Sequence, residues 1–464
     1  MSDFTPFRKK MQLAGVSDVA IRSFEKNYEA LARDENGEIP EGVISQCENL
    51  VKFSSVSDGK GEFDSGTLSQ TVVIKLNGGL GTSMGLQKAK SLLPVRDDKT
   101  FLDIIVEQIL YLRDSAEANV HFLLMNSYNT SEETLDYMES YESEGLSGAE
   151  NIELMQNQVP KIDAKTLAPA VCEKSPTQEW CPPGHGDVYT ALAGSGWLDA
   201  LLAGGVKYAF ISNADNLGAA LDPGLLEYFV KSDAPFMMEV TKRTEADRKG
   251  GHLAVRNSDG QLLLREVAQC SEADLAEFQN VEKHQYFNTN SLWVRLDVLK
   301  ELLIENGGGL TLPMIKNQKT IDPRDKKSTP VIQLEVAMGA AIELFKGAQA
   351  ICVPRSRFAP VKTTSDLFAI RSDAYMVTAD GRIALVPERE GVPPVIDLSD
   401  EYKLVDSLQG LGIPSLVKAK KLTVKGSVRF ADGVRIQGDV TFINETGSTK
   451  WVAGGLYKNE EVTL

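Results

Sequence analysis

The chain has 464 residues, 42% hydrophobic and 25% charged, an ordinary balance for a folded protein. This excludes collagen, a disulfide-dense mini-protein and a wholly disordered chain, and the length corresponds to roughly three domains. Lys+Arg number 49 and Asp+Glu 65, a formal net charge of −16, which disfavours sequence-independent nucleic-acid binding and attachment to an anionic membrane but says nothing about a single pocket.

The N-terminus, Met1-Ser-Asp-Phe-Thr-Pro-Phe, has no apolar leader-like run. Residues 1–70 are expected to form a helical N-terminal segment. Val19–Arg33 has helical spacing, and Ile39-Pro40-Glu41 predicts the start of another helix, with Pro near the first turn. Ser54–Gly66, rich in Ser, Gly and Asp, reads as a linker. From Thr71 the pattern changes. Val72–Leu76 is a β-branched run that opens into the Gly-rich turn Asn77–Thr82, and Lys88 and Lys90 follow shortly after. Phe101–Leu112 has helical spacing, Val120–Met125 predicts a buried strand, and Tyr208–Ser212 and Phe236–Val240 predict two more. Strands alternating with helices imply an α/β domain with a largely parallel sheet, over residues 71–380.

The tail, 381–464, differs. Leu422, Val428, Val434 and Val440 recur every six residues, and Val424, Phe430, Ile436 and Phe442 do so two positions later. Gly426, Asp432, Gly438 and Asn444 occupy turn positions in step. This period predicts a parallel β-helix, with an antiparallel hairpin pair as the alternative. Its unpaired end is a candidate surface for a homo-oligomer. The five cysteines have no C-x-x-C spacing, which fits a reducing cytoplasm. The longest apolar stretches, such as Val206–Ser212, fall far short of the roughly 20 residues that span a bilayer.

Several segments carry chemistry. The glycines of Leu76–Thr82 let a backbone approach phosphate, although the loop is neither G-x-G-x-x-G nor a Walker A motif. Lys88 or Lys90 adds a cation. Tyr208–Asn216 is an apolar strand ending in Asn213, Asp215 and Asn216, a place where a carboxylate suits Mg²⁺ bridging phosphate oxygens. Trp180–Asp187 is a rigid turn carrying His185. Phe287–Asn290 offers two amides and a hydroxyl to a hydroxyl-rich ligand, or is a polar turn. Arg355, Arg357 and Lys362 form either a phosphate clamp or a basic surface loop.

The segments KLNGGLGTSMG (75–85), PPGHGD (182–187), NADNLGA (213–219), KGG (249–251), FNTN (287–290) and PRSRFAPVKTTSDL (354–367), in this order, resemble the eukaryotic-type UTP–glucose-1-phosphate uridylyltransferases, or UDP-glucose pyrophosphorylases. The resemblance runs from about Val72 into the tail. It implies a glycosyltransferase-A-like, Rossmann-like mixed and mainly parallel sheet with a C-terminal left-handed parallel β-helix. It implies a nucleotidyltransferase of carbohydrate metabolism that uses UTP, glucose 1-phosphate and Mg²⁺ and makes UDP-glucose and pyrophosphate. Carried over by motif, the backbone of Leu76, Asn77, Gly78 and Gly79 lines the UTP site, Lys90 meets phosphate, and Gln156 and Gly184 contact uracil. Asn213 and Asp215 contact nucleotide, with Asp215 binding Mg²⁺. His185 faces the sugar phosphate, Gly251, Asn288, Thr289 and Asn290 hold glucose, and Lys362 reaches the transferring phosphates. Lys90, Lys362 and Asp215 form the catalytic set. Lys88-Ala89 replaces the usual Gly-Pro before Lys90, and Ala214 replaces a usual serine.

One alternative is a UDP-sugar or UDP-N-acetylhexosamine pyrophosphorylase with a different or broader sugar 1-phosphate range, galactose 1-phosphate included. A non-catalytic nucleotide-sugar sensor is a second, distinguished by binding without Mg²⁺-dependent turnover.

Overall fold

The computed structural model describes residues 3–35, 37–57 and 61–464. Its centre is a mixed, mostly parallel sheet. In spatial order the strands are Val51–Lys52, Gln349–Cys352, Phe236–Lys242, Tyr286–Arg295, Tyr208–Asn213, Thr71–Asn77, His121–Asn126 and Glu153–Met155. Neighbours in this order run parallel except Tyr286–Arg295, which is antiparallel to the strands on either side of it. Thr71–Asn77 is buried at every position but Leu76, as expected of an apolar strand covered on both faces. One face, including Val73, Phe210 and Trp293, packs against the helix Phe101–Ala116, whose start is fixed by a Thr100–Asp103 capping box. The other, including Val72, Ile74 and Ile211, packs against Val188–Gly194, Trp197–Ala203 and Leu296–Glu305.

The N-terminal segment departs from the all-helical expectation. Thr5–Leu13 and Asp18–Ala32 are helices, the second capped by the Ser17 side chain. Beyond Pro40, however, only a three-residue 3₁₀ turn forms, Glu41–Val43. Two short strands follow. Ile44–Gln46 pairs antiparallel with His252–Arg256, and Val51–Lys52 pairs with Gln349–Cys352 at the edge of the sheet. Ile44 packs on Ala254 and Leu263, so long-range pairing overrides a weak helical start. The expected linker contains a 3₁₀ turn, Phe53–Ser55, and a capped helix, Ser65–Ser69; its residues 58–60 lie outside the described ones.

In the tail, Val395–Leu398, Ser415–Lys425, Val434–Ile443 and Gly455–Thr463 stack in parallel, and Val428–Phe430 pairs in parallel with Lys450–Val452. All eight residues of the six-residue apolar pattern are buried. They share one apolar cluster with Phe101 and Val73, so the tail packs on the sheet domain through continuous core. Among the described residues, no helix is long and apolar enough to cross a membrane.

Beneath the carboxyl edge of the sheet lies a buried ion pair. Glu239 accepts from Arg357 Nε at 2.7 Å and Nη2 at 2.8 Å, and from the Trp293 indole N–H at 3.0 Å. Removing the carboxylate strands a guanidinium in the core. Glu239→Ala is expected to lose about 3–5 kcal/mol of unfolding free energy, read as a lower urea midpoint. Glu239→Ala with Arg357→Met should recover part of the loss.

Candidate active site

Two adjacent parallel strands deliver the central loops. Asn213 pairs with Leu76 at the carboxyl edge of the sheet, and the Ala214 N–H donates to Leu76 O at 3.0 Å. Between the two loops lies a cleft of about 300 Å³ lined by, among others, Leu76, Asn77, Gly78, Gly79, Lys90, Gln156, Gly184, His185, Asn213 and Asp215. Ten positions from segments far apart in sequence are thereby brought together.

The Gly-rich loop is shaped by Gly81 and Gly85, at φ +65° and +79°, which only glycine adopts cheaply. The chain then turns back, and the Lys90 N–H donates to Gly79 O at 3.0 Å. This aims the Lys90 ammonium across the cleft at Asp215 Oδ2, 2.7 Å away. Lys88 is exposed and outside the cleft, so Lys90 is the loop lysine that faces it. The Asn77 side chain points away and donates to Asn126 Oδ1 at 2.8 Å and Thr134 Oγ1 at 3.1 Å, leaving its backbone to the cleft. Asp215 Oδ1 is buried without a hydrogen-bond partner. An orphaned carboxylate oxygen fits a divalent cation. Because no cluster of three His, Cys, Asp or Glu ligands exists among the described residues, such a cation would draw its other ligands from phosphates and water, the habit of Mg²⁺.

The opposite wall is the rigid turn. Gly184 has φ +85°, and a Cβ there would lie 2.5 Å from Val336 O. Its carbonyl accepts from Gln156 Nε2 at 3.0 Å, while Gln156 Oε1 has no hydrogen-bond partner among the described residues. His185 Nδ1 accepts the Met338 N–H at 3.0 Å, which places a ring proton on Nε2. Burial, and then the charge of Lys362, push the His185 pKa down to about 4.

Lys362 does not line the cleft, but its segment is laced to it. The Val361 N–H donates to Asp215 O at 3.1 Å, and Asn216 bridges Pro360. The Lys362 N–H donates to Asp366 Oδ2 at 2.9 Å, and the side chain is exposed. Arg355 and Arg357 are not a phosphate clamp. Arg357 is buried on Glu239, and Arg355 is ion-paired with Asp247. Buried or partly buried guanidiniums are held by carboxylates because unpaired ones are costly.

Gly251, Asn288, Thr289 and Asn290 also lie beyond the cleft lining. The FNTN run forms a bulge in Tyr286–Arg295, with Asn290 at φ +56°. Asn288 N–H donates to Gly251 O at 3.3 Å, and the Asn288 and Asn290 side chains bond each other at 2.8 Å. The Thr289 hydroxyl is committed to Glu239 O at 2.7 Å, so only its backbone can serve a ligand. Two carboxylates escaped the sequence reading. Glu335 lines the cleft, and a Cβ on Gly251 would lie 2.6 Å from the Glu266 carboxyl. Burial raises the pKa of both. Neither sits in a recognisable motif, and only tertiary structure brings them near the site.

His185 has a direct test. Its ordinary value is 6.5 and its folded value about 4, so between these the unfolded chain binds a proton that the folded chain refuses. Falling pH in that window therefore favours unfolding through this group. In ¹⁵N-histidine spectra, the His185 ring signals should stay those of the neutral ring from pH 8 down to about 5, where a free imidazole titrates near 6.5.

Residues 21–437 match the family model for UTP–glucose-1-phosphate uridylyltransferase. The chain is 42% identical over 384 residues to the UTP–glucose-1-phosphate uridylyltransferase of Solanum tuberosum, covering 82% of this chain and 78% of that protein. It is 40% identical to that of Astragalus penduliflorus over 98% of this chain and 96% of the relative. Among solved structures it is similar to a mutant UDP-glucose pyrophosphorylase from Leishmania major in complex with UDP-glucose, with TM-score 0.94, 46% identity and full coverage of both chains. It is also similar to the UDP-glucose phosphorylase from Trypanosoma brucei, with TM-score 0.90, 47% identity and 99% of each chain covered.

Proposed function

The chain belongs to the UTP–glucose-1-phosphate uridylyltransferase family, and we infer that it transfers a uridylyl group from UTP to glucose 1-phosphate, giving UDP-glucose and pyrophosphate. The observation that carries this reading is the Lys90–Asp215 contact across two strand-end loops, one of them glycine-rich.

The attacking oxygen of the sugar phosphate is already anionic, so no general base is required. The difficulty is bringing two anions together while charge builds on the α-phosphoryl group and the leaving pyrophosphate. The backbone of Leu76–Gly79 cradles the nucleotide. Gln156 Oε1 accepts uracil N3–H while its Nε2 stays on Gly184 O, which fixes the amide orientation. Asn213 completes the nucleotide wall. His185, neutral at physiological pH, donates from Nε2 to the sugar phosphate without requiring a charge. Gly251, Asn288 and Asn290, with the Thr289 backbone, face the hexose. Lys90 and Lys362 neutralise the transferring phosphates through positioning and electrostatics. Asp215 Oδ1 would hold Mg²⁺, which when bound withdraws charge from the triphosphate oxygens.

We read the sheet as glycosyltransferase-A-like and the tail as a left-handed parallel β-helix. Stacked partners such as Leu422 and Val440 lie eighteen positions apart, in keeping with three six-residue sides per coil. The exposed Trp451 and Leu456 on the tail suit association of copies. Five free cysteines suit a cytoplasmic setting.

The test is pyrophosphate release from UTP plus glucose 1-phosphate, with and without Mg²⁺. Absence of release with glucose 1-phosphate, alongside release with another sugar 1-phosphate, would transfer the assignment to that sugar. Lys90→Ala should lower kcat about 10²–10³-fold, with Lys88→Ala near the parent. Gln156→Ala should raise KM for UTP well above any change in KM for glucose 1-phosphate, and equal changes would remove Gln156 from the uracil wall.

A further inference from the structure

We propose that Lys75 is a positioning residue for the reaction, its side-chain nitrogen pinning both ends of the segment that presents Asp215. The proposal rests on the reading of Asp215 as the metal carboxylate. Lys75 lies on the strand Thr71–Asn77, two residues before the Gly-rich loop, and is 2% exposed. Its Nζ donates to Ser212 Oγ at 2.9 Å and to Ala219 O at 2.7 Å. These two acceptors bracket the six residues Asn213–Gly218, which include Asp215. One side chain thus closes the neck of the whole loop.

The far side of that loop is held separately. The Asn216 side chain donates to Arg357 O at 3.1 Å and accepts the Ala359 N–H at 3.0 Å, and Asp215 O accepts the Val361 N–H at 3.1 Å. The near side, facing the Gly-rich loop, has the Ala214–Leu76 backbone bond and Lys75. Lys90 enters from that near side, anchored on Gly79 O. The Lys90–Asp215 separation of 2.7 Å therefore depends on the offset between two loops whose parent strands Lys75 ties together.

Stability alone does not account for a lysine here. Both acceptors are uncharged, and the nearby Glu239 is committed to Arg357 and Trp293. Burial, and then the charge of Arg357, push the Lys75 pKa down to about 7, so holding an amine here is costly, and a methionine of similar length would fill the space without that cost. What the amine adds is N–H donors to two separated points, which a methionine cannot supply.

The experiment compares Lys75→Met and Ser212→Ala with the parent full chain. The Kd of the Mn²⁺–UTP complex is read by water-proton relaxation enhancement, the Kd of metal-free UTP by calorimetry, and kcat and KM by pyrophosphate release. Lys75→Met should weaken Mn²⁺–UTP binding and lower kcat by about tenfold, since misplacing reacting groups by about 1 Å costs up to ~10²-fold. Metal-free UTP affinity and KM for glucose 1-phosphate should stay within about twofold of the parent, the remainder of the cleft being intact. Ser212→Ala, a smaller change that decides the matter if Lys75→Met does not fold, should move in the same direction. Unchanged Mn²⁺–UTP affinity in the folded variants, or an equal loss for metal-free UTP, overturns the proposal. Asp215→Asn separates the two readings. If it leaves Mn²⁺–UTP binding intact, the metal assignment fails and this proposal fails with it, whereas metal loss in Asp215→Asn without any in the Lys75 and Ser212 variants removes Lys75 alone.

Discussion

The parallel register between Thr71–Asn77 and Tyr208–Asn213 is the constraint on which the site depends. Six residue pairs hold the strands so that Leu76 and Asn213 leave the sheet at the same height. Each strand then releases a short polar loop over the same edge, and the two loops meet as Lys90 and Asp215. A shift of one residue would reverse every side chain between the two apolar faces, so the core and the site enforce the same register. The parts that seem remote serve this arrangement. The antiparallel strand Tyr286–Arg295 buttresses Tyr208–Asn213 and carries the bulge at Asn288–Asn290. The loop 353–361 is stitched onto the Asp215 segment by backbone and amide hydrogen bonds.

The electrostatics resolve an apparent conflict with the acidic composition. A chain of net charge −16 can still present a cation at one cleft, where Lys90 lies beside the glycine-rich backbone. The basic residues near the site divide into two sets. Arg355 and Arg357 are paired with Asp247 and Glu239 and act as struts. Lys90 faces the cleft, and Lys362 keeps an exposed ammonium whose charge acts on His185 and Glu266. Arginine suits the struts because its planar fork engages several acceptors at once, and lysine suits contacts that form with the ligand.

What the sequence made legible was whatever is written in consecutive residues. The glycine loop, the rigid PPGHGD turn and the NADN strand end each lie within one short stretch and line one cleft, and the six-residue period of the tail falls on strands that pair in parallel. What stayed hidden depends on partners distant in sequence. Val51–Lys52 is too short to signal a strand and exists because Gln349–Cys352 offers an edge. Glu266 and Glu335 belong to no motif and approach the site by tertiary packing. The basic run at Arg355 and Arg357 reads equally as a phosphate clamp or a surface loop because Glu239, which neutralises one of them, sits more than a hundred residues earlier. Thr289, in a run suited to sugar, spends its hydroxyl inside the sheet because a bulge turns it inward.

The strand Val51–Lys52 has a consequence for synthesis. Its partner, Gln349–Cys352, emerges about 300 residues later, roughly 15–60 s at ribosomal rates of about 5–20 residues per second. Ile44–Gln46 waits for His252–Arg256 in the same way. Until its partner emerges, each of these segments is an unpaired strand edge. The strand at this edge of the sheet is therefore made early and can pair only late.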